Sequence, residues 1–480
     1  MDERKRKEEV KYDIVGRRGR KQEMAEEKEM MKKKQMDMTS GSIVRLIIAF
    51  SIPLLLGNIF QQLYNMVDSW VVGNFVSNEA FSAVGTVGPI VNMLIGFFMG
   101  LSNGAGVVIS QFFGARKYEE VSKAVHTTMI MTFAMSAVLT IAGVVLTPLM
   151  LRLMNVPTEV YSDAETYLNI YFSGVSGLLF YNAAASIMQA VGDSKKPFYF
   201  LATAAVLNII GDLVLVIVFH MGVAGVAWAT ILSQFVSAIL SLLVLARTKL
   251  CVRISLHEMH MDWNLLKKIF RIGIPAALQM TIISFSNVFV QSYINYFGAD
   301  CMSGWTAYTK SDALMFLPMQ SIALAVTTFV GQNIGIGNAA RAKQGIHTAT
   351  IMAMICTLVL MIPTIIAAPY LVAFFNARGE VVYFGTLFLR WLTPFYFTAC
   401  SNQILAAALR GSGDAKAPML IMIFSFVIAR QIYLFIVTKF ISNTALSVGL
   451  SYPFGWMLCT GILLWYYRHT NFGGQSVTRE

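Results

Sequence analysis

The chain has 480 residues, of which 56% are hydrophobic and 13% charged, with a mean hydropathy of +0.61. Soluble domains carry about 25% charged residues, so a string of soluble domains, a soluble enzyme and a secreted disulfide scaffold are excluded. The net charge of +11 is not a nucleic-acid signal, because residues 1–45 mix 14 basic with 10 acidic side chains and most other basic residues fall in short loops. Long apolar runs recur from Ile43 to Tyr467, the pattern of an all-α integral membrane protein.

Residues 1–42 are charged and rich in Lys, Glu and Met, and are expected to form a disordered cytoplasmic tail. The alternative is a basic arm against anionic lipid, worth about 1 kcal/mol per residue. No apolar h-region precedes residue 43, so no cleavable signal peptide is expected. Splitting the remainder at charged, Gly/Pro and Asn/Asp clusters predicts twelve transmembrane spans, at 47–73, 81–112, 124–150, 166–190, 197–219, 223–246, 272–297, 302–334, 345–371, 381–409, 417–438 and 445–467. Basic residues crowd the connections on one side, whereas the other side holds only Arg152, Arg378 and Lys439. By the positive-inside rule both termini are cytoplasmic, in a multi-pass protein of the cell (inner) membrane.

The sequence is an internal duplication. At an offset of 221 residues Gln111, Gly114 and His126-Thr127 fall on Gln332, Gly335 and His347-Thr348, and the loop Gly192-Asp193-Ser194-Lys195-Lys196-Pro197 falls on Gly413-Asp414-Ala415-Lys416-Ala417-Pro418. One residue more brings Pro53 onto Pro275 and Asn65 onto Asn287. Six spans per half give two lobes of the same orientation, an amino lobe at 43–246 and a carboxy lobe at 272–467. A linker at 247–271 joins them and a cytoplasmic tail at 468–480 follows. Parallel repeats around a central cavity belong to secondary transporters. No Walker A sequence is present to supply ATP energy. Pro53 and Pro275 interrupt the first span of each lobe, where a kink is expected, either as a static bend or as a helix that bends and straightens. His126 and His347 recur at helix ends and read as structural caps, and the five cysteines form no Cys-x-x-Cys pair and read as small core residues.

Six ionised side chains remain inside the spans: Asp68, Asp212, Lys310, Asp312, Arg390 and Arg430. Each costs about 2.5–3.5 kcal/mol at a helix centre, so each needs a partner or a purpose. In the amino lobe Gln61, Asn65 and Asp68 share one face of the first span, Asn208 and Asp212 are i, i+4 on the fifth, and Thr230 and Gln234 are i, i+4 on the sixth. Counted at 1.5 Å per residue, Asp68, Asp212 and Thr230 lie about 9–12 Å below the outer ends of their helices. Two carboxylates with amide and hydroxyl oxygens suit Na⁺ or a proton, while the bland alternative is a pair of hydrogen-bonded acids that stabilises packing. In the carboxy lobe Lys310, Asp312, Arg390 and Arg430 also share one level. They read as a charged cluster, either a rigidifying Asp312–Arg pair or a docking point for an anionic or zwitterionic substrate.

The stretch from Pro53 through Gly57-Asn58 and Gln61-Gln62 to Tyr64-Asn65 and Asp68 resembles the first helix of the multidrug and toxic compound extrusion (MATE) family. Gln111 to Gly114, Gln332 to Gly335 and the two Gly-Asp-x-Lys-x-Pro loops agree with it, and the resemblance covers residues 39–467. It implies two six-helix lobes and export of drug-like, often cationic compounds in exchange for Na⁺ or H⁺ by alternating access. It also implies a cation site at Asp68, Asn208, Asp212 and Thr230, with Gln61 and Asn182 lining the drug cavity; Asn65 and Gln234, on the same helix faces as the cation ligands, are expected to line that cavity too. The chain departs from members with a second acidic site in the carboxy lobe, since its seventh span has no acid and its tenth carries Arg390. The expected partners are small drug-like molecules and membrane lipid, with no nucleic acid, no catalytic residues and no cofactor beyond the coupling ion, and the expected state is a monomer. The alternatives are a lipid or lipid-linked saccharide flippase and, from a different class, a passive channel.

Overall fold

The computed structural model describes residues 36–154, 156–474 and 476–478, and among them every regular element is helical. The first half comprises α1 (Ile43–Phe75), α2 (Asn78–Gly114), α3 (Tyr118–Leu153), α4 (Thr158–Ser173), α5 (Val175–Ala190), α6 (Lys195–Asp212) and α7 (Gly222–Arg247). The second comprises α8 (Trp263–Asn295), α9 (Ala299–Gly335), α10 (Ala339–Ile366), α11 (Ala368–Phe375), α12 (Gly379–Leu392), α13 (Tyr396–Gly411), α14 (Lys416–Ile423), α15 (Arg430–Ile436), α16 (Ala445–Gly449) and α17 (Ser451–His469). α-Helices satisfy their own backbone groups, which is why a chain this apolar adopts nothing else.

Among the described residues ten helical stretches are long and apolar enough to cross a membrane, or eleven when α4 and α5, bent by 46°, count as one. The expected twelfth, at 381–409, is present but broken. A 3₁₀ turn at Thr393–Phe395 separates α12 from α13, which have 14 and 16 residues, so neither half alone reaches the roughly 20 residues of a full span. Pro394 accounts for the break, because it cannot donate to the preceding turn. The helices α1 and α8, in contrast, run unbroken through Pro53 and Pro275.

The Gly-Asp-x-Lys-x-Pro loops are helix-start devices. Gly192 (φ 89°) and Gly413 (φ 102°) take a left-handed turn. The following carboxylate, Asp193 or Asp414, then accepts a backbone N–H three residues on, from Lys196 or Ala417, each at 3.2 Å. His126 anchors the linker instead of relaying protons. Its Nε2 accepts the N–H of Ser255 at 3.1 Å and its Nδ1 donates to the carbonyl of Ser122 at 2.8 Å. The cysteines are free and at least partly buried, and burial pushes the thiol of Cys251 in the linker up to about 12.

The halves meet along α2 and α8, with Gly100 and Gly104 backed onto Ala277 and Gly273, and along α9 against α1 and α2. At the end of the bundle that carries the chain termini, the duplication is visible atom by atom. A Cβ on Gly114 would strike the carbonyl of Gln332, and one on Gly335 would strike the carbonyl of Gln111. Gln111 Nε2 donates to the carbonyl of Gly411 at 2.9 Å, and Gln332 Nε2 donates to that of Ala190 at 3.0 Å; the repeat offset relates these two bonds.

The same glutamines hold the ends of the chain. Gln332 Oε1 accepts the N–H of Met38 at 3.0 Å, Asn333 Nδ2 donates to the carbonyl of Met38 at 3.1 Å, and Arg341 donates to that of Gly41 at 2.8 Å. Gln111 Oε1 accepts the N–H of Val477 at 2.7 Å and the hydroxyl of Ser476 at 3.2 Å, while Lys268 Nζ donates to the carbonyl of Val477 at 2.9 Å. Met38 and Val477 are buried. The expectation of a disordered tail therefore fails for residues 36–42, where an apolar side chain finds a pocket and the backbone finds donors; the rest of that tail lies outside the described residues. We expect Gln332→Ala, which removes two buried hydrogen bonds worth about 1 kcal/mol each, to raise maleimide labelling of Met38→Cys, in a background without other cysteines, by about tenfold or more. Asn182→Ala, remote from this closure, should leave the labelling rate unchanged.

Candidate functional site

Three helices of the first half place oxygen atoms at one spot. α1 supplies Asp68, α6 supplies Asn208 and Asp212 one turn apart at its end, and α7 supplies Thr230. Asp212, Asn208 and Thr230 are buried, and Asp68 lies beside all three. Asn208 Nδ2 points at the hydroxyl of Thr230, 3.5 Å away, and that hydroxyl donates to the carbonyl of Val226 at 3.0 Å. The decisive feature is what the remaining oxygens lack. Asp68 Oδ1, both carboxylate oxygens of Asp212 and Asn208 Oδ1 are buried without a hydrogen-bond donor. No lysine, arginine or histidine forms an ion pair with either acid among the described residues. Hard cations and protons are the classes of species that such a set of oxygens can accept.

Two features of this site escape the sequence pattern. Tyr64 and Tyr167 stand beside Asp68, and Tyr167 stacks on Tyr171 with ring centroids 6.2 Å apart, so aromatic rings wall the oxygens from lipid. The i, i+4 spacing of Tyr167 and Tyr171 was an available signal. Immediately after Asp212 the helix widens into a π-helix over Leu213–Val218, a geometry frequent at functional sites.

The residues expected to line the substrate cavity divide. Gln61 and Asn182 line a cavity of ≈ 110 Å³ with Pro53, Asn58, Asn103 and Tyr181. Asn65 is exposed outside it, and Gln234 faces Tyr171 at the rim of the oxygen cluster. Drug-sized ligands occupy pockets of about 300–1,000 Å³, so this cavity must widen before it accepts one. Pro53, inside the continuous helix α1, stands in its wall.

The charged cluster expected in the second half is not assembled. Equal depth along helices gave four residues the same height, but they point in different directions around the bundle. Asp312 accepts the hydroxyl of Tyr396. Arg430 is buried, donates to Ser286 Oγ at 2.7 Å and Asn287 Oδ1 at 2.9 Å, and lies 4.8 Å from the ring of Tyr452. Lys310 and Arg390 are exposed. No Asp312–Arg ion pair forms among the described residues; Asp312 and Arg430 instead sit in two hydrogen-bond networks that have Tyr452 as a common neighbour.

The MatE family profile matches the chain twice, at residues 53–214 and 275–435, one match in each half of the duplication. The chain belongs to the MATE family of transporters. This MATE-family chain is a multi-pass membrane transporter and not an enzyme. It is 31% identical over 447 residues to the protein named probable multidrug resistance protein YpnP of Bacillus subtilis, covering 93% of this chain and 100% of that one. It is 28% identical to probable multidrug resistance protein YoeA of the same organism, covering 89% and 94% of the two chains. A solved structure titled the outward-facing conformation of a multidrug resistance MATE family transporter superposes with a TM-score of 0.86 at 22% identity, over 91% of this chain and 97% of that one. The likeness extends the shared fold to twelve helices.

The two networks of the second half meet at Tyr452, which predicts weak coupling between them. Asp312→Asn and Arg430→Gln, which share Tyr452 as a neighbour but form no ion pair, should couple by about 0.5–1 kcal/mol in a double-mutant thermal-unfolding cycle, whereas a direct buried ion pair would couple them by about 3 kcal/mol. Tyr396→Phe, which strips Asp312 of its donor, should cost about 1–3 kcal/mol in the same assay.

Proposed function

We propose that this transporter is a secondary multidrug antiporter that exports drug-like, often cationic compounds in exchange for Na⁺ or H⁺. The observation that carries this reading is the cluster of donorless oxygens from Asp68, Asn208 and Asp212 beside Thr230. Left empty and ionised, two buried carboxylates repel each other and lack solvation, so a cation or a proton is strongly favoured there. Such an occupant draws α1, α6 and α7 together. It shifts the transporter between states only through its different affinity for them. It also removes the negative charge that attracts a cationic drug toward the neighbouring Gln61–Asn182 cavity, so occupancy by one disfavours the other. Flexure of α1 at Pro53 joins the two sites, because the same helix carries Pro53 and Gln61 in the cavity wall and Asp68 in the ion cluster.

The names of the relatives support the substrate class, and the basic bias of the connections on the side of the termini supports cytoplasmic ends in a cell membrane. Closure at Gln111, Gly114, Gln332 and Gly335 then makes the described conformation sealed toward the cytoplasm. A monomer surrounded by lipid is sufficient for this cycle, since both halves of the duplication lie in one chain.

Purified protein in liposomes, tested with ethidium or a fluoroquinolone under separately imposed Na⁺ and pH gradients, tests the proposal. One gradient should drive uphill substrate movement, and Asp68→Asn or Asp212→Asn should reduce it by about tenfold or more, the scale of one lost charge-assisted contact. Uphill transport that survives both substitutions would discard the coupling site. Asn208→Ala should raise the ion concentration for half-maximal transport, while Asn182→Ala should change the substrate dependence and leave the ion dependence in place.

A further inference from the structure

Lys310 and Arg390 are the intramembrane charges that neither the ion cluster nor the networks of the second half absorb, and of the two Arg390 lines a groove. Arg390 lies on α12, which packs only on helices of its own half, chiefly α9 and α11. The buried face of α12 is Val381, Gly385, Phe388, Leu389 and Leu392. On the opposite face Gly379, Tyr383, Thr386 and Arg390 follow one another at i, i+4, i+7 and i+11, a single stripe down the helix. With Trp391, and with Pro369 of α11, this stripe lines a groove of ≈ 430 Å³ that opens sideways from the bundle.

Four observations concern what fills it. Arg390 is exposed on this membrane-facing side and has no hydrogen-bond or ion-pair partner among the described residues. An unpaired arginine at this depth is costly, by about 2.5–3.5 kcal/mol on insertion scales. The hydroxyl of Thr386, one turn away, is buried and has no partner. No acid lines the groove; Glu380, the nearest in sequence, starts the helix about 15 Å away. At the mouth, Gly379 has open space where a side chain would stand. Helical side chains lean toward the helix N-terminus, so the guanidinium reaches from Arg390 past Thr386 toward that open mouth, at the membrane surface opposite the chain termini.

We propose that this groove binds the phosphate of an anionic phospholipid from the leaflet opposite the termini, held by Arg390 and Thr386. A phosphate oxygen accepts from the guanidinium in the bidentate geometry arginine favours, and the Thr386 hydroxyl donates to a second oxygen. The acyl chains run over Leu387 and Trp391, and Tyr383 flanks the headgroup. A cationic drug is repelled by Arg390, and free phosphate has to shed its water against Val382, Leu387 and Trp391 with no apolar part to offset that cost.

Native mass spectrometry of the full-length, delipidated protein in detergent tests the assignment, with dioleoyl phosphatidylglycerol, dioleoyl phosphatidylcholine and inorganic phosphate titrated separately. We expect a saturable phosphatidylglycerol adduct on the wild type that phosphatidylcholine does not match and inorganic phosphate in large excess does not displace. Arg390→Gln should weaken it by about tenfold or more, one charge-assisted hydrogen bond, and Arg390→Lys should retain part of it. Thr386→Val, a small change that keeps the arginine, should weaken it less and serves as the second variant if Arg390→Gln does not fold. Phosphatidylglycerol binding unchanged in the variants, equal binding of phosphatidylcholine, or displacement by inorganic phosphate would overturn the proposal, as would protection of the groove by a second copy of the chain.

Discussion

A polar group inside hydrocarbon has no water to turn to, and this single constraint shapes the molecule. It makes every described regular element a helix, because only there does the backbone satisfy itself. It turns many serines and threonines on α3 and α7 back onto their own helix, as Thr128, Thr132 and Ser241 show by donating to the carbonyls four residues earlier. Against that background, polar atoms left unsatisfied are the places where the sequence has tolerated a cost. They gather most densely where Asp68, Asn208 and Asp212 meet.

The duplicated fold separates architecture from chemistry. Both halves keep the helix-start loops, the proline in the first span and the glutamine closure, since these solve problems of folding and contact that each half shares. The ion cluster is not kept. Where α6 presents Asn208 and Asp212, the repeat offset gives Ala429 and Tyr433, and Tyr433 instead donates to the carbonyl of Ser447 at 3.3 Å. One half keeps a cluster of unsatisfied oxygens while the other packs aromatic side chains, among them Trp305 with Phe388 and Tyr396 with Trp456.

Much of this was legible in the residues because the membrane makes errors expensive. Two acids with no base in one lobe, each at a matching height on its helix, left few ways to be arranged, and the structure does bring Asp68, Asn208, Asp212 and Thr230 together. Height alone misled in the second half. Lys310, Asp312, Arg390 and Arg430 share a level, but rotation about each helix axis decides who meets whom, and the apolar stripe of α12 already placed Arg390 on its far side. Gln234 kept its predicted helix face and met Tyr171 instead of the cavity. The seating of Met38 and Val477 had no local signature, because it depends on contacts nearly 300 residues away in the first case and more than 360 in the second.

That seating has a practical corollary for anyone handling the protein. The backbone at Met38 and at Val477 is a structural part of the joint between the halves, so an affinity handle or fluorescent fusion attached directly beside either is not a neutral passenger. A bulky group close behind Val477 strains its bond to Gln111, and a rigid one close ahead of Met38 strains its bond to Gln332. A handle in the connection around Asn376, at the opposite end of the bundle, leaves both glutamines as they are. Tagged forms that differ only in the position of the handle thereby sample different balances of open and closed joint.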